Sequence, residues 1–180
     1  MTIKIWKSNP PYSNTPIKVL AGHSRDVNSL LYIKERDIMI SGSDDRTLRL
    51  WNMSTYQCEN MIEGVRCIAP NALYQIDKNR VIVGGWNTFS IVNIDKCVIE
   101  KTIEDGSFGK VKCFLKLKDN NKVIICASNK EALCFYDMNT KCFKTTNIQF
   151  KKTIDNLLLI DDCTFISGNG IQIDVWEFYY

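Results

Sequence analysis

Gly42-Ser43-Asp44-Asp45-Arg46-Thr47-Leu48-Arg49-Leu50-Trp51 is the stretch that decides the fold. A strand ends at Ser41-Gly42-Ser43, a tight turn carries two aspartates, and a second strand alternates Thr47, Leu48, Arg49 and Leu50 before an aromatic stop. Apolar and polar residues alternating across such a turn predict a β-hairpin with one buried face. The second arm recurs as Thr2–Trp6, Thr88–Val92, Ala132–Tyr136 and Gln172–Trp176. Its last residues, Trp6, Trp51, Val92, Tyr136 and Trp176, lie 45, 41, 44 and 40 residues apart.

A period near forty with several short strands in each repeat predicts an all-β protein, a β-propeller built of four-stranded antiparallel blades without helices. The expected boundaries are a partial blade at residues 1–20 and blades at about 22–63, 64–103, 106–148 and 149–177, within a single region spanning 1–180. Met1 stands where Arg46 does, so the first repeat lacks the turn and the two strands that would precede it. With about four blades, the expectation is an incomplete ring: either part of a longer propeller or one that closes with another chain, a copy of itself included.

The chain has 180 residues, 45% hydrophobic and 24% charged, a globular composition able to bury a core. A net charge of +3 with scattered lysines and arginines gives no basic face of the kind nucleic-acid readers carry. No apolar run approaches the roughly 20 residues that span a bilayer, so no membrane insertion is expected. The eight cysteines contain no C-x-x-C pair. Cys58, Cys97 and Cys142 recur at one repeat position, and the others sit in apolar alternation, which predicts reduced thiols, no metal site and a cytoplasmic setting. Gly84-Gly85-Trp86 and Gly168-Asn169-Gly170 lack the Gly-Lys-Ser/Thr ending of a phosphate loop and read as hairpin turns. Trp6, Trp51, Phe135, Tyr136 and Trp176 read as core anchors.

Gly22-His23, Asp26-Val27 and Ser41–Trp51 together resemble the WD-repeat motif of the β-propeller family, strongly in this repeat and more weakly along nearly the whole chain. The resemblance implies a structural hydrogen-bond set of His23, Ser41, Asp45 and Trp51. Gly64-Val65, Gly106-Ser107 and Gln149-Phe150 stand where the other repeats would carry Gly-His, so those blades are expected to rely on apolar packing. Ser41, His23 and Asp45 are also the residue types of a hydrolase triad, but in this motif all three are expected between strands, away from substrate.

By the same resemblance, partner-binding positions on the narrow face map to Ser24, Asp26 and Asp44, to Ile68, to Phe108, Lys110 and Asn129, and to Lys151 and Thr153. The function implied is a non-enzymatic scaffold that needs no cofactor and docks protein or peptide partners. The alternative is a regulatory or substrate-recruiting region of a larger enzyme, such as a ubiquitin ligase assembly.

Overall fold

The computed structural model describes residues 1–8, 14–65, 72–106, 109–117, 122–127, 132–149, 154–161, 164–169 and 172–177. These form seventeen strands in five antiparallel sheets. The first sheet pairs β1 (Thr2–Ile5) with β2 (Lys18–Ala21). The second runs β3 (Val27–Ile33), β4 (Ile38–Ser43), β5 (Leu48–Asn52) and β6 (Cys58–Ile62). The third holds β7 (Ala72–Gln75), β8 (Arg80–Gly84), β9 (Thr88–Asn93) and β10 (Val98–Glu104). The fourth holds β11 (Val111–Lys116), β12 (Lys122–Ala127), β13 (Ala132–Asp137) and β14 (Phe143–Gln149), and the fifth β15 (Asn156–Leu159), β16 (Thr164–Asn169) and β17 (Gln172–Glu177). Neighbours in each sheet are consecutive in sequence, the meander of a propeller blade, and the five sheets make an open ring. The described residues contain no α-helix; Lys34–Arg36 makes one 3-10 turn between β3 and β4.

Sequence chemistry explains the turns. After the third strand of a blade comes Asn52, Asn93 or Asp137, whose side-chain oxygen accepts the N–H groups two and three residues on: Ser54 and Thr55, Asp95 and Lys96, Asn139 and Thr140. This Asx turn satisfies backbone donors that the ladder leaves open. Each loop then passes through a left-handed residue, Tyr56, Cys97 or Lys141, before the outer strand.

The core is divided among the seams between sheets. Ile3 and Leu20 cover Met39 and Trp51. Ile40, Leu48 and Leu50 of the second blade face Val81, Val83 and Val92 of the third. Between the third and fourth blades, Phe89 meets Tyr136 and Phe114 edge to face, with ring centroids 5.5 and 6.4 Å apart. Leu115 and Leu117 meet Phe165, which stacks on Trp176, in the last seam. Polar ties cross the same seams: Arg36 pairs with Asp95 at 2.5 Å, Lys116 Nζ donates to the Ile76 carbonyl, and Lys112 pairs with Asp155.

Two expectations need correction. Trp6 is 52% exposed and anchors nothing, because the β1–β2 register ends at Ile5 and Lys18 and no sheet faces the residue beyond it. Cys113 is half-buried rather than enclosed, since its strand lies on the edge of the fourth sheet. Apolar side chains also remain open on the outward face of the fifth sheet, where Leu158, Ile173 and Val175 are exposed, Ile173 by 74%. On β3, Leu30 and Tyr32 are exposed in the same way.

Gly84 marks the closest approach of two blades. A Cβ there would lie 2.5 Å from Val111 Cγ1 and 2.8 Å from Phe114 Cζ, both inside a packed seam. Gly84→Ala should therefore lower stability by about 1–3 kcal/mol, as overpacked cores do. Gly106→Ala, with nothing within 4 Å of its Cβ, should leave the urea midpoint unchanged. Urea titration of both variants checks the contrast.

Candidate functional site

The turn end of the second blade holds the chain's densest polar set. His23, on the segment entering β3, has its side chain 1% exposed, and Asp45, in the β4–β5 turn, 8%. His23 Nδ1 lies 2.8 Å from Asp45 Oδ2, and Nε2 lies 2.7 Å from Ser41 Oγ. Trp51 Nε1 donates to the same Ser41 Oγ at 2.9 Å. A carboxylate only accepts, so Nδ1 carries the proton; in the neutral ring Nε2 is bare and accepts from the Ser41 hydroxyl, whose oxygen accepts from the indole. Four side chains from four backbone segments thus satisfy one another.

Asp45 collects more than the histidine. Thr47 donates to Oδ1 through its hydroxyl at 2.7 Å and its N–H at 3.0 Å, and the Ser24 N–H donates to Oδ2 at 3.0 Å. Burial alone would raise the Asp45 carboxyl, but the bonds from Thr47, His23 and the two backbone N–H groups outweigh it and hold the carboxyl well below the usual carboxylate range. For His23, burial outweighs the attraction of Asp45, and nearby Arg49 adds to it, so the ring titrates below its ordinary value. Ser41 is fully buried with its oxygen committed at both ends, so this Ser-His-Asp grouping has no nucleophile to offer a substrate.

The other blades solve the same turn differently. Trp86 occupies the place of Asp45 and is 53% exposed. There the backbone does the joining: Gly85 N–H donates to Thr88 O, Asn87 N–H to Gly109 O and Val111 N–H to Gly85 O, at 2.7–3.0 Å, while the Asn87 side chain accepts from Gly109 N–H. Asn87 and Arg46 are both left-handed at equivalent positions. The fifth blade departs from the expectation of purely apolar packing, for Trp176 Nε1 donates to Ser167 Oγ at 2.8 Å and keeps half of the polar set. The signal for it was present in the recurrence of Ile40-Ser41-Gly42 as Ile166-Ser167-Gly168. Thr47 was missed too, although an aspartate two residues before a threonine is a common local turn.

The expected partner-binding positions divide into two groups. Ser24 and Asp26 are exposed at the turn end, and Asp44, half-buried there, accepts from Asn28 through its side chain while its N–H donates to Asp26 O. Lys110 is half-buried and bridges Trp86 through the backbone. Ile68, Phe108, Asn129, Lys151 and Thr153 lie outside the described residues. Among the described residues no cluster of three or more His, Cys, Asp or Glu side chains could hold a metal, and no helix is long and apolar enough to cross a membrane.

The profile of the family described as WD domain, G-beta repeat matches residues 14–52, the segment that contains the whole polar set. That segment is a WD repeat. Among similar proteins, the nuclear distribution protein nudF of Aspergillus niger is 29% identical over 93 residues, which cover 51% of this chain and 20% of that protein. The WD repeat-containing protein 89 homolog of Dictyostelium discoideum is 25% identical over 140 residues, covering 76% of this chain and 36% of that one. The ribosome biogenesis protein BOP1 homolog of Drosophila willistoni is 34% identical over 100 residues, 51% of this chain but 12% of its own length. The chain therefore spans between about an eighth and about a third of those relatives. In fold it is similar to a chain of the crystal structure of the mitotic checkpoint complex, with TM-score 0.75 and 15% identity, over 93% of this chain and 54% of that one.

Because His23 is the one histidine, pH isolates its contribution. Its folded-state pKa lies below 6.5, so the stability of the neutral ring is fully present above that pH and declines as pH falls through it, with a slope of at most about 1.4 kcal/mol per pH unit. Asp45, also depressed, contributes above 3.8 and adds a second decline below it. Chemical denaturation from pH 8 to 3 should resolve both steps, and His23→Gln should abolish the first. At pH 7.5, Trp51→Phe leaves Ser41 Oγ short of a donor and should cost about 1–3 kcal/mol.

Proposed function

We propose that this chain is a non-enzymatic WD-repeat scaffold whose turn end presents loops to protein or peptide partners. The observation that carries the reading is the inward satisfaction of His23, Ser41, Asp45 and Trp51: the set spends its polarity on fixing strands, and the loop residues above it, Ser24 and Asp26, are left exposed on a rigid base. Rigid scaffolds with divergent loops are a common way to set partner choice. Ser24, Asp26, Asp44 and Lys110 are the described residues assigned to that contact, with Ile68, Phe108, Asn129, Lys151 and Thr153 as further positions that the resemblance implies. The polar set itself is assigned a structural role.

The open apolar face of the fifth sheet belongs to the same reading. Leu158, Ile173 and Val175 have the character that the covered faces of the other blades have, so a further blade packs there, from a longer parent chain or from a second copy. The thiols of Cys58, Cys97, Cys113 and Cys142 form no disulfide, which supports a reducing compartment such as the cytoplasm.

The test is crosslinking of the chain to captured partners, with peptides identified by mass spectrometry. Asp26→Lys, and Asp44→Asn, which keeps an oxygen for the Asn28 side chain, should weaken capture while leaving the melting temperature within about 2 °C, as surface substitutions usually do. Capture unchanged in both variants would overturn the assignment of the rim. Separately, the 180-residue chain should self-associate in light scattering, and Ile173→Lys should reduce that association.

A further inference from the structure

At the turn end, the seam between the second and third blades opens into a groove of about 590 Å³. The groove is lined by Arg46 from the β4–β5 turn, Gly64 and Val65 just after β6, Trp86 from the β8–β9 turn, and Glu104 and Gly106 at and after the end of β10. Val65 is 1% exposed, which makes the floor apolar.

Three observations about this groove have no structural use elsewhere. Trp86 leaves half of its indole in water at a position where the second blade keeps a buried carboxylate, and the backbone bonds of Gly85, Asn87 and Val111 hold its turn so that the ring cannot be withdrawn by moving the loop. Arg46 is held in a left-handed conformation, with its N–H donating to Ser43 O, and its exposed guanidinium pairs with nothing among the described residues. Other cations along the seams are used: Arg36 on Asp95, Arg80 on Asp77, Lys112 on Asp155. Glu104, which also lines the groove, has a contact of its own, whereas the Arg46 guanidinium has none among the described residues. Lastly, an added Cβ at Gly64 or Gly106 would meet nothing within 4 Å, so the main chain at both positions borders open space.

We propose that this groove binds an extended peptide segment of a partner protein, with an aspartate or glutamate side chain on Arg46 and a large apolar side chain against Trp86. The proposal rests on the docking reading above and makes it specific in place and chemistry. A guanidinium takes a carboxylate in a two-point, charge-assisted bond, and a fixed, half-exposed indole over an apolar floor supplies the kind of anchor on which binding energy concentrates. An acidic neighbour to the apolar residue is what the charge pattern selects: a basic one would meet Arg46 unfavourably.

A phage library of random octapeptides panned on the whole chain tests it. Enriched sequences should carry Asp or Glu within two or three residues of Leu, Phe, Met or Trp. A synthetic peptide of the enriched sequence, followed by fluorescence anisotropy, should lose about thirtyfold in affinity on Trp86→Ala and on Arg46→Ala, the size expected for anchor residues. Arg46→Lys, which keeps the charge but loses the two-point geometry, should bind between the parent chain and Arg46→Ala, and panning on Arg46→Glu should enrich Lys or Arg in place of the acidic residue. Both residues are exposed, so unchanged melting curves separate a binding loss from misfolding. Enriched peptides without an acidic residue, or an affinity indifferent to both positions, would overturn the groove while leaving docking elsewhere on the rim intact. Failure to enrich any peptide would overturn the groove, and the broader reading would then stand or fall on the Asp26 and Asp44 variants.

Discussion

Everything in this molecule depends on the covering of one sheet's apolar face by the next. A four-stranded blade has two faces and cannot shield either alone, so its Leu, Ile, Val and Phe side chains find their dry environment only in the seam with a neighbour. The seams here are distinct in chemistry. One is aliphatic, from Ile40, Leu48 and Leu50 against Val81, Val83 and Val92; the next is aromatic, from Phe89 between Phe114 and Tyr136. Gly84 shows how tightly they close, since a single methyl group there would fall inside the van der Waals radii of two side chains from the next blade. The exposed Leu158, Ile173 and Val175 are the same constraint seen where no sheet of this chain covers the face.

Stacking fixes the blades against each other but leaves the turns at their ends to be fixed by other means. In the second blade the means is the linked donation from Trp51 through Ser41 to His23, ending on Asp45, which gathers Thr47 and the Ser24 N–H as well. In the third, main-chain bonds between residues 85–88 and 109–111 take over, and the side chain at the turn is released to water as Trp86. The fifth keeps Trp176 on Ser167 among its described residues. Once a turn is held by its backbone, the residue at its tip no longer serves the fold, and that is the physical basis for reading Trp86 as a recognition group rather than packing.

How much was legible beforehand follows from the range of each interaction. The recurrence of the arm ending in Trp51 and the turn residues between strands are local, so the strand order could be read from a single chain, while the residues of the polar set were implied by the resemblance of Gly22-His23 and Ser41–Trp51 to a known motif. The bond between Trp176 and Ser167 was also local in spacing, and only the absence of a preceding histidine hid it. Thr47 was hidden by its ordinariness: a threonine opening a strand is common, and its hydroxyl's turn toward Asp45 is a matter of rotamer.

What the sequence alone determined is the repeating β-architecture, because period and turn chemistry act over a few residues; the polar set of the second blade, whose members lie up to 28 positions apart, came only from the motif's resemblance to a known repeat. What only the tertiary structure decided is the pairing of one face with the next, the exposure of Trp6 and Trp86, and the groove that gathers Arg46, Val65 and Trp86 from separate blades. Those residues are up to 40 positions apart. Their meeting depends on how far each sheet twists and how closely Gly84 lets the fourth blade approach, which no local pattern encodes.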